Sequence, residues 1–331
     1  MVFTGKLRFL ERKEKNFHLA KKPFFNMKES KQKRPTVGIP RALFYWKKPF
    51  FWPVFFEKLG FQVLLSPESN KEIIEIGIKA ADPESCFSVK VLYGHILWLD
   101  GKVDFIFIPR LLKSEAKLEY CPKFFALPDL FSLLIKTPLL SPWLDLDKSN
   151  LEDILMKFSR KIGKEKELVK IAIKAAFLKE KKEELRIEEG YLKKIQSQKK
   201  KIIIVSHPYN LYDDYINLGI KKKIIDLGAE VIFIDEVPVR QSPGNQENIS
   251  PKFHWEFGQE ILTQVKGIAK DSISGAIEIS AFQCGCDAVL KEFVEKEFKN
   301  KKIPFLYLLI DEHTGEAGLQ TRLEAFFDTL H

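Results

Sequence analysis

The residues with the clearest chemical potential are the chain's four cysteines, Cys86, Cys121, Cys284 and Cys286. Each stands in a turn just before a run with helical spacing of apolar residues. A thiol at a helix N-terminus has a lowered pKa, because the helix dipole and the free N–H groups favour the thiolate. Thiolate is the form that binds metal ions, so this placement predicts a metal site built from distant turns.

The cysteines alone leave several alternatives open. Any one of them can instead be a small buried apolar residue, which is a common role of free cysteine. Zinc would take three thiolates together with His95, His207 or His313. An iron–sulfur cluster also accepts thiolates from scattered turns, and three cysteines would leave one iron open to a small ligand. The segment 311–316, Asp-Glu-His-Thr-Gly-Glu, would supply hydrogen bonds near such a site or cap the last helix.

Several familiar motifs are absent from the sequence. There is no Cys-x-x-Cys pair, and four cysteines in a chain of 331 residues do not indicate a disulfide framework. The phosphate-binding pattern G-x-x-x-x-G-K-[ST], the dinucleotide pattern G-x-G-x-x-G and the hydrolase pattern G-x-S-x-G are also missing. We therefore expect neither ATP hydrolysis nor dinucleotide binding by a recognised motif.

The elements that must position the cysteines alternate between short apolar strands and helices. This alternation is typical of parallel sheets covered by helices on both faces. Two stretches share one order, and in each the dipeptide Leu-Gly leads into the second strand (Leu59-Gly60 and Leu227-Gly228). We predict an α/β fold with two doubly wound domains related by a weak internal repeat. The predicted strands are 35–40, 61–65, 103–109, 137–141, 201–206, 230–234, 274–280 and 303–310.

The predicted domain organisation has four segments. They are a basic N-terminal arm (1–34), a first α/β domain (35–147), a linker of two helices (148–199) and a second α/β domain (200–331). Ligands of open parallel sheets bind outside the carboxyl ends of the strands. The predicted site is therefore the cleft between the two α/β domains.

Composition and charge restrict the class of protein. The net charge of +9 lies almost wholly in residues 1–34, which hold eleven Lys/Arg and three Glu, while the rest holds 43 basic and 42 acidic residues. The body is thus nearly neutral, so we interpret the arm as a solvated extension and do not expect nucleic-acid binding. No apolar run reaches about 18 residues and no secretory signal is evident, so we expect a cytoplasmic protein without a membrane span.

A set of motifs in this sequence is similar to a known family. The motifs are Val37-Gly38-Ile39-Pro40-Arg41-Ala42-Leu43, Cys86 with Val89-Lys90 and Gly94-His95, Ile108-Pro109-Arg110, Tyr120-Cys121-Pro122-Lys123, Ser206-His207-Pro208-Tyr209-Asn210, Phe282-Gln283-Cys284-Gly285, and residues 310–318 with 321–326. Together they resemble the acyl-CoA dehydratase activase-related family (CoA protein activase). That family is related to the cluster-bearing component of 2-hydroxyacyl-CoA dehydratases and to double-cubane cluster proteins.

The resemblance implies flavodoxin-like domains around a [4Fe–4S]-type iron–sulfur cluster held by Cys86, Cys121 and Cys284. It implies that low-potential electrons come from a separate ATP-hydrolysing activator protein and pass to an acyl-CoA or other small-molecule substrate. If the chain is an enzyme, it would be a reductase or a dehydratase-like component. Cys286 departs from the family pattern Cys-Gly-Pro-Asp, in which a proline stands at that position.

Two other functions fit the same fold. One is a non-redox binding or regulatory module that docks a partner at the rim of the sheets. The other is a structural zinc protein. A homo- or hetero-dimer is compatible with each of these functions.

Overall fold

The described part of the chain, residues 34–238, 253–269 and 273–330 of a computed structural model, contains two four-stranded parallel sheets. In chain order the strands are β1 (Thr36–Ile39), β2 (Gln62–Leu65), β3 (Phe105–Phe107), β4 (Arg110–Lys113), β5 (Leu139–Leu140), β6 (Trp143–Asp145), β7 (Lys201–Val205), β8 (Glu230–Phe233), β9 (Gly275–Ala281) and β10 (Phe305–Ile310). The predicted α/β fold with parallel sheets is confirmed. The basic arm lies outside the described residues, apart from Arg34.

Helices connect these strands. They are α1 (Phe51–Lys58), α2 (Lys71–Ala80), α3 (Phe87–Leu99), α4 (Pro122–Leu134), α5 (Leu151–Lys161), α6 (Lys166–Gln196), α7 (Pro208–Leu211), α8 (Ile220–Asp226), α9 (Glu256–Gly267), α10 (Gly285–Asn300) and α11 (Glu316–Asp328), with short 3-10 turns at Leu43–Lys47 and Ile234–Glu236. Within the described ranges, no helix is both long enough and apolar enough to cross a membrane.

The two sheets have the same strand order. The first runs β2-β1-β3-β5 and the second runs β8-β7-β9-β10, so each follows the order second, first, third, fourth. This common order agrees with the internal repeat that the sequence predicts. In each sheet the order reverses beside the first strand, and ligands of such sheets bind in the crevice at that reversal. The reversals lie between β1 and β3 and between β7 and β9.

One parallel ladder was not predicted from the sequence. β4 pairs with β6 next to the first sheet, in a stretch that we expected to be a loop after the third strand. Both strands are short and carry charged residues, so they lack the apolar alternation that marks a strand. The stretch 148–199 contains two helices, α5 and α6, as predicted, while the division of the chain into domains stays a prediction.

Helix α3, which begins after Cys86, is held against α2 by a close backbone contact. A Cβ atom on Gly77 would lie 2.0 Å from the carbonyl oxygen of Lys90, and one on Gly94 would lie 2.0 Å from that of Ile73. Only glycine permits so close an approach. The two glycines therefore fix where α3 lies and, with it, the position of the Cys86 turn.

Candidate functional site

Three of the four cysteines are N-cap residues. Cys86 precedes α3, Cys121 precedes α4, and Cys284 precedes α10. None of these side chains caps its helix with a hydrogen bond, so the thiols are not used in holding the helix ends. The structure thus has all three predicted cluster ligands where the sequence places them, at helix starts.

The turns that carry these cysteines meet. The backbone N–H of Phe87 donates a 3.2 Å hydrogen bond to the carbonyl of Phe282, which joins the Cys86 turn to the Cys284 turn. Burial raises the pKa of the Cys121 thiol, and nearby Cys86 adds to that shift. Burial, Asp287 and, to a smaller extent, Cys86 raise the pKa of Cys284 to about 12. The Cys86 sulfur therefore interacts electrostatically with each of the other two thiols.

The expectation of lowered thiol pKa values is wrong for Cys121 and Cys284. Burial disfavours the charged thiolate, and here it outweighs the favourable end of the helix dipole. A hydrogen bond from the backbone of Lys123 lowers the pKa of Cys121 only in part. Without a metal, both groups stay protonated thiols near neutral pH.

The sequence predicts that Cys286 lies in a turn, but in the structure it lies in a helix. Helix α10 begins at Gly285 instead of Asp287, so Cys286 is the second residue of the helix. Its side chain is buried, and it also contributes to the raised pKa of Cys121. All four cysteines thus occupy one region.

His207 and Asp287 form a buried ion pair beside these thiols. His207 follows β7 and precedes α7, while Asp287 lies in the first turn of α10 after β9. His207 Nε2 is 2.6 Å from Asp287 Oδ1, and the side chains are 2% and 5% exposed. Burial opposes protonation of His207, but the Asp287 carboxylate more than compensates and the pKa of His207 is raised. The imidazole also stacks on Tyr209, with ring centres 5.0 Å apart.

Helix α3 is fastened to loops of the second sheet by two polar contacts. Lys90 Nζ lies 2.6 Å from Glu312 Oε1, and both side chains are nearly buried at 8% and 12% exposure. Ser88 Oγ donates a 2.8 Å hydrogen bond to Asn210 Oδ1. Ser88 and Lys90 are the second and fourth residues of α3. The two contacts therefore hold the Cys86 turn against the segments after β7 and β10.

The acidic segment after β10 has a structural role that the sequence left open. Glu312 pairs with Lys90, whereas the Asp311 carboxylate accepts hydrogen bonds from the backbone of His313 and from the Thr314 hydroxyl. Helix α11 has Gly315 as its N-cap residue, without a side-chain cap. The acidic groups therefore close their own turn and bind α3.

The three histidines considered for zinc have different environments. His95 is fully buried, and its two ring nitrogens contact Ser66 Oγ at 2.8 Å and Ser69 Oγ at 2.9 Å. Burial and, secondarily, Arg41 lower the pKa of His95 to about 3, so it is a neutral core residue. His313 is exposed. Of these three, His207 is the one beside the cysteines.

A cavity of about 830 Å³ opens next to the thiol region. Tyr120, Ser206 and Pro208, which adjoin Cys121 and His207 in the chain, line one side of it. Four buried polar atoms of its lining have no hydrogen-bond partner among the described residues: Arg41 Nε, Trp46 Nε1, Glu180 Oε2 and Asp235 Oδ1. Buried polar atoms are nearly always partnered, so these atoms are available to a bound small molecule.

Comparison with known proteins identifies the family. Residues 36–237 match the family described as "CoA enzyme activase uncharacterised domain (DUF2229)". The chain belongs to this family. The matched stretch includes Cys86, Cys121 and His207 and ends before Cys284. The family match supports the activase-related resemblance, while the closer relation to dehydratase cluster components stays a proposal.

Other comparisons add no functional information. No curated protein sequence matches the chain. The structure titled "Crystal structure of ZnuA" is 13% identical, with 88% of this chain and 96% of that chain covered and a TM-score of 0.27. The laminin-binding protein Lbp of Streptococcus pyogenes is 14% identical, with 91% and 100% covered and a TM-score of 0.23. Scores this low do not establish a common fold.

Sequence reasoning did not assign a role to Asp287, Glu278 or Tyr209. Glu278 is 1% exposed in the middle of β9, and Tyr209 lies against the His207 ring. A carboxylate inside a run as apolar as that of β9 is an available signal, because buried charges require partners. That signal marks β9 as the strand that leads to Asp287 and two of the cysteines.

Proposed function

We propose that this chain is an iron–sulfur protein of the activase-related, 2-hydroxyacyl-CoA dehydratase-like type, with a [4Fe–4S]-type cluster on Cys86, Cys121 and Cys284. The observation that carries this proposal is the convergence of three thiols from three separate helix N-termini. Their side chains cap no helix, and the turns of two of them are joined by a backbone hydrogen bond. Three thiolates are a suitable donor set for such a cluster.

The surroundings of the thiols suit a buried, negatively charged group. Aromatic rings of Phe124, Tyr209 and Phe257 pack together beside them, with ring centres 5.7–6.4 Å apart. The N-termini of three helices point positive dipole ends at the region. Because the free thiols of Cys121 and Cys284 hold their protons, metal binding must displace those protons. When bound, the cluster would supply one-electron transfer at low potential.

The remaining parts of the proposal concern partners. Residues 35–147 and 200–331 would be two doubly wound domains, with the cluster in the cleft between them. A separate ATP-hydrolysing activator would deliver electrons, because the sequence lacks a nucleotide-binding motif. The substrate, an acyl-CoA or another small molecule, would enter the 830 Å³ cavity, where Trp46 Nε1 offers a donor and Asp235 Oδ1 an acceptor.

Anaerobic purification tests the proposal. We expect a brown protein that contains iron and acid-labile sulfide and gives an electron paramagnetic resonance signal after reduction. Alanine variants of Cys86, Cys121 and Cys284 should each lose most of the iron, while Cys286→Ala serves as the matched control and should retain it. A colourless anaerobic preparation without iron would refute the proposal, and one zinc per chain in its place would favour the structural zinc protein.

A further inference from the structure

A second group of ligand atoms lies next to the proposed cluster thiols. A nitrogen of His207, the sulfur of Cys286 and a carboxylate oxygen of Asp287 all lie within 4.8 Å of one another, and the three residues are buried. His207 follows β7, and the other two residues begin α10 after β9. The group therefore lies at the reversal of strand order in the second sheet, where a crevice for ligands is expected.

His207 is a buried imidazole whose neighbours are Asp287 and the thiols of Cys284 and Cys286. The residue is 1% exposed, and neither Nδ1 nor Nε2 has an aligned hydrogen-bond partner in the described part of the chain. Its Nε2 lies 2.6 Å from Asp287 Oδ1, which is an ion contact without hydrogen-bond alignment. A cation that replaces the imidazole proton would satisfy both groups, because each would then donate a lone pair to the metal.

The carboxylates around His207 favour a cation in this place. Asp287 Oδ2 accepts a 3.2 Å hydrogen bond from the backbone of Ala281, which leaves Oδ1 directed at His207. Glu278, in the middle of β9, is 1% exposed, and its Oε2 has no partner within the described residues. A divalent cation bound at Oδ1 would be the counter-charge of the buried Asp287 carboxylate.

We infer that His207, Cys286 and Asp287 bind one divalent cation of the borderline-soft class, such as zinc or cobalt. Imidazole and thiolate are ligands that these ions accept, whereas magnesium and calcium prefer oxygen. Three protein ligands leave one coordination position for water or a small molecule, as in catalytic zinc sites. The site also gives a role to Cys286, which stands where the family pattern has proline. It uses none of Cys86, Cys121 and Cys284, so it does not depend on the iron–sulfur proposal.

Cobalt(II) is a suitable probe, because it is coloured where zinc is silent. The variant in which Cys86, Cys121 and Cys284 are all alanine retains the three proposed ligands. We expect it to bind one cobalt per chain with a sulfur-to-cobalt charge-transfer band, and zinc should displace the cobalt. Adding Cys286→Ala should abolish that band. Adding His207→Ala should weaken cobalt binding by more than roughly 100-fold, the upper end of the cost of losing an outer-shell partner. His313→Ala, which removes an exposed histidine, is the matched control.

Two measurements can overturn the inference. In the first, a triple variant with a native circular dichroism spectrum that binds no more cobalt than its His207→Ala derivative would contradict it. The second measurement uses the chain with all its cysteines, purified without oxygen. Loss of the second metal in Cys286→Ala with iron unchanged supports the site. Loss of iron in Cys286→Ala, or no metal other than the cluster in the unaltered chain, contradicts it. Absence of iron from the unaltered chain is a separate result, which would refute only the iron–sulfur proposal.

Discussion

Replacing Lys90 by methionine tests whether the contact between α3 and the segment after β10 holds the site together. The Lys90–Glu312 pair has an Nζ–Oε1 distance of 2.6 Å and side-chain exposures of only 8% and 12%. Methionine conserves the apolar stem of Lys90 and removes its charge. Glu312 would then be a nearly buried carboxylate with no cation beside it, and its Oε2 has no partner within the described residues even now.

The magnitude follows from the burial of the pair. Removing one partner of a buried ion pair costs about 3–5 kcal/mol, because the other charge is left uncompensated. For domains of 150–250 residues, 1 kcal/mol corresponds to about 2–4 °C, so we expect Tm to fall by roughly 6–20 °C. Replacing both partners, as in Lys90→Met/Glu312→Leu, should restore most of this loss. Lys71→Met removes one member of an exposed pair, Lys71–Glu75, and should cost less than about 0.5 kcal/mol.

The pH dependence identifies Glu312 as the cause. Burial opposes ionisation of Glu312, but Lys90 more than compensates and its pKa is lowered. A lowered carboxyl pKa contributes stability above the unfolded pKa, and this contribution is lost as pH falls through the folded pKa. Urea unfolding should therefore show a larger difference between the parent and Lys90→Met at pH 7 than at pH 4. Equal stability at pH 7, or a difference that does not change with pH, would refute the role assigned to the pair.

Three further predictions concern the packing, the core histidine and the free thiol. Gly94→Ala should destabilise the chain by about 1–3 kcal/mol or more in urea unfolding, because its Cβ would meet the Ile73 carbonyl at 2.0 Å. Gly190→Ala is the control, because the space around Gly190 is open, and a similar loss of stability in both variants would contradict the contact. Because the pKa of His95 is lowered to about 3 from 6.5, the free energy of unfolding should fall by up to roughly 5 kcal/mol between pH 6.5 and pH 3. His95→Gln should lose most of this pH dependence, and an unchanged pH dependence in that variant would contradict the role of His95. In the folded, metal-free chain at pH 8, Cys284 should be alkylated at least about tenfold more slowly than in the chain unfolded in urea, since its pKa of about 12 leaves little thiolate. Mass spectrometry measures both rates, and equal rates would contradict the burial of Cys284.

The local features of the fold could be predicted from the sequence because their signals are local. Pro122 at the first helical position and the apolar spacing after Cys86 and Cys284 correctly placed three cysteines at helix starts. The alternation of strands and helices correctly indicated parallel sheets. The common strand order explains why similar short motifs recur in the two halves of the sequence.

The remaining features depend on contacts that are distant in the chain. The raised pKa of Cys284 reflects burial among residues that are far apart in sequence, and a helix N-terminus alone suggested the opposite shift. Likewise, nothing adjacent to His207 indicates that Asp287, eighty residues later, lies 2.6 Å away. Cys286 was predicted to lie in a turn before a helix that starts at Asp287, whereas the helix, α10, already starts at Gly285.

X-ray absorption at the iron edge tests the central claim most directly, because it reports the atoms around iron in the anaerobically purified chain. If Cys86, Cys121 and Cys284 hold an iron–sulfur cluster, the spectrum should show iron surrounded mainly by sulfur, with a second iron at short distance. Both features should disappear in Cys121→Ala and persist in Cys286→Ala. Iron coordinated only by nitrogen and oxygen, or a sulfur-bound iron that Cys121→Ala leaves intact, would contradict the claim.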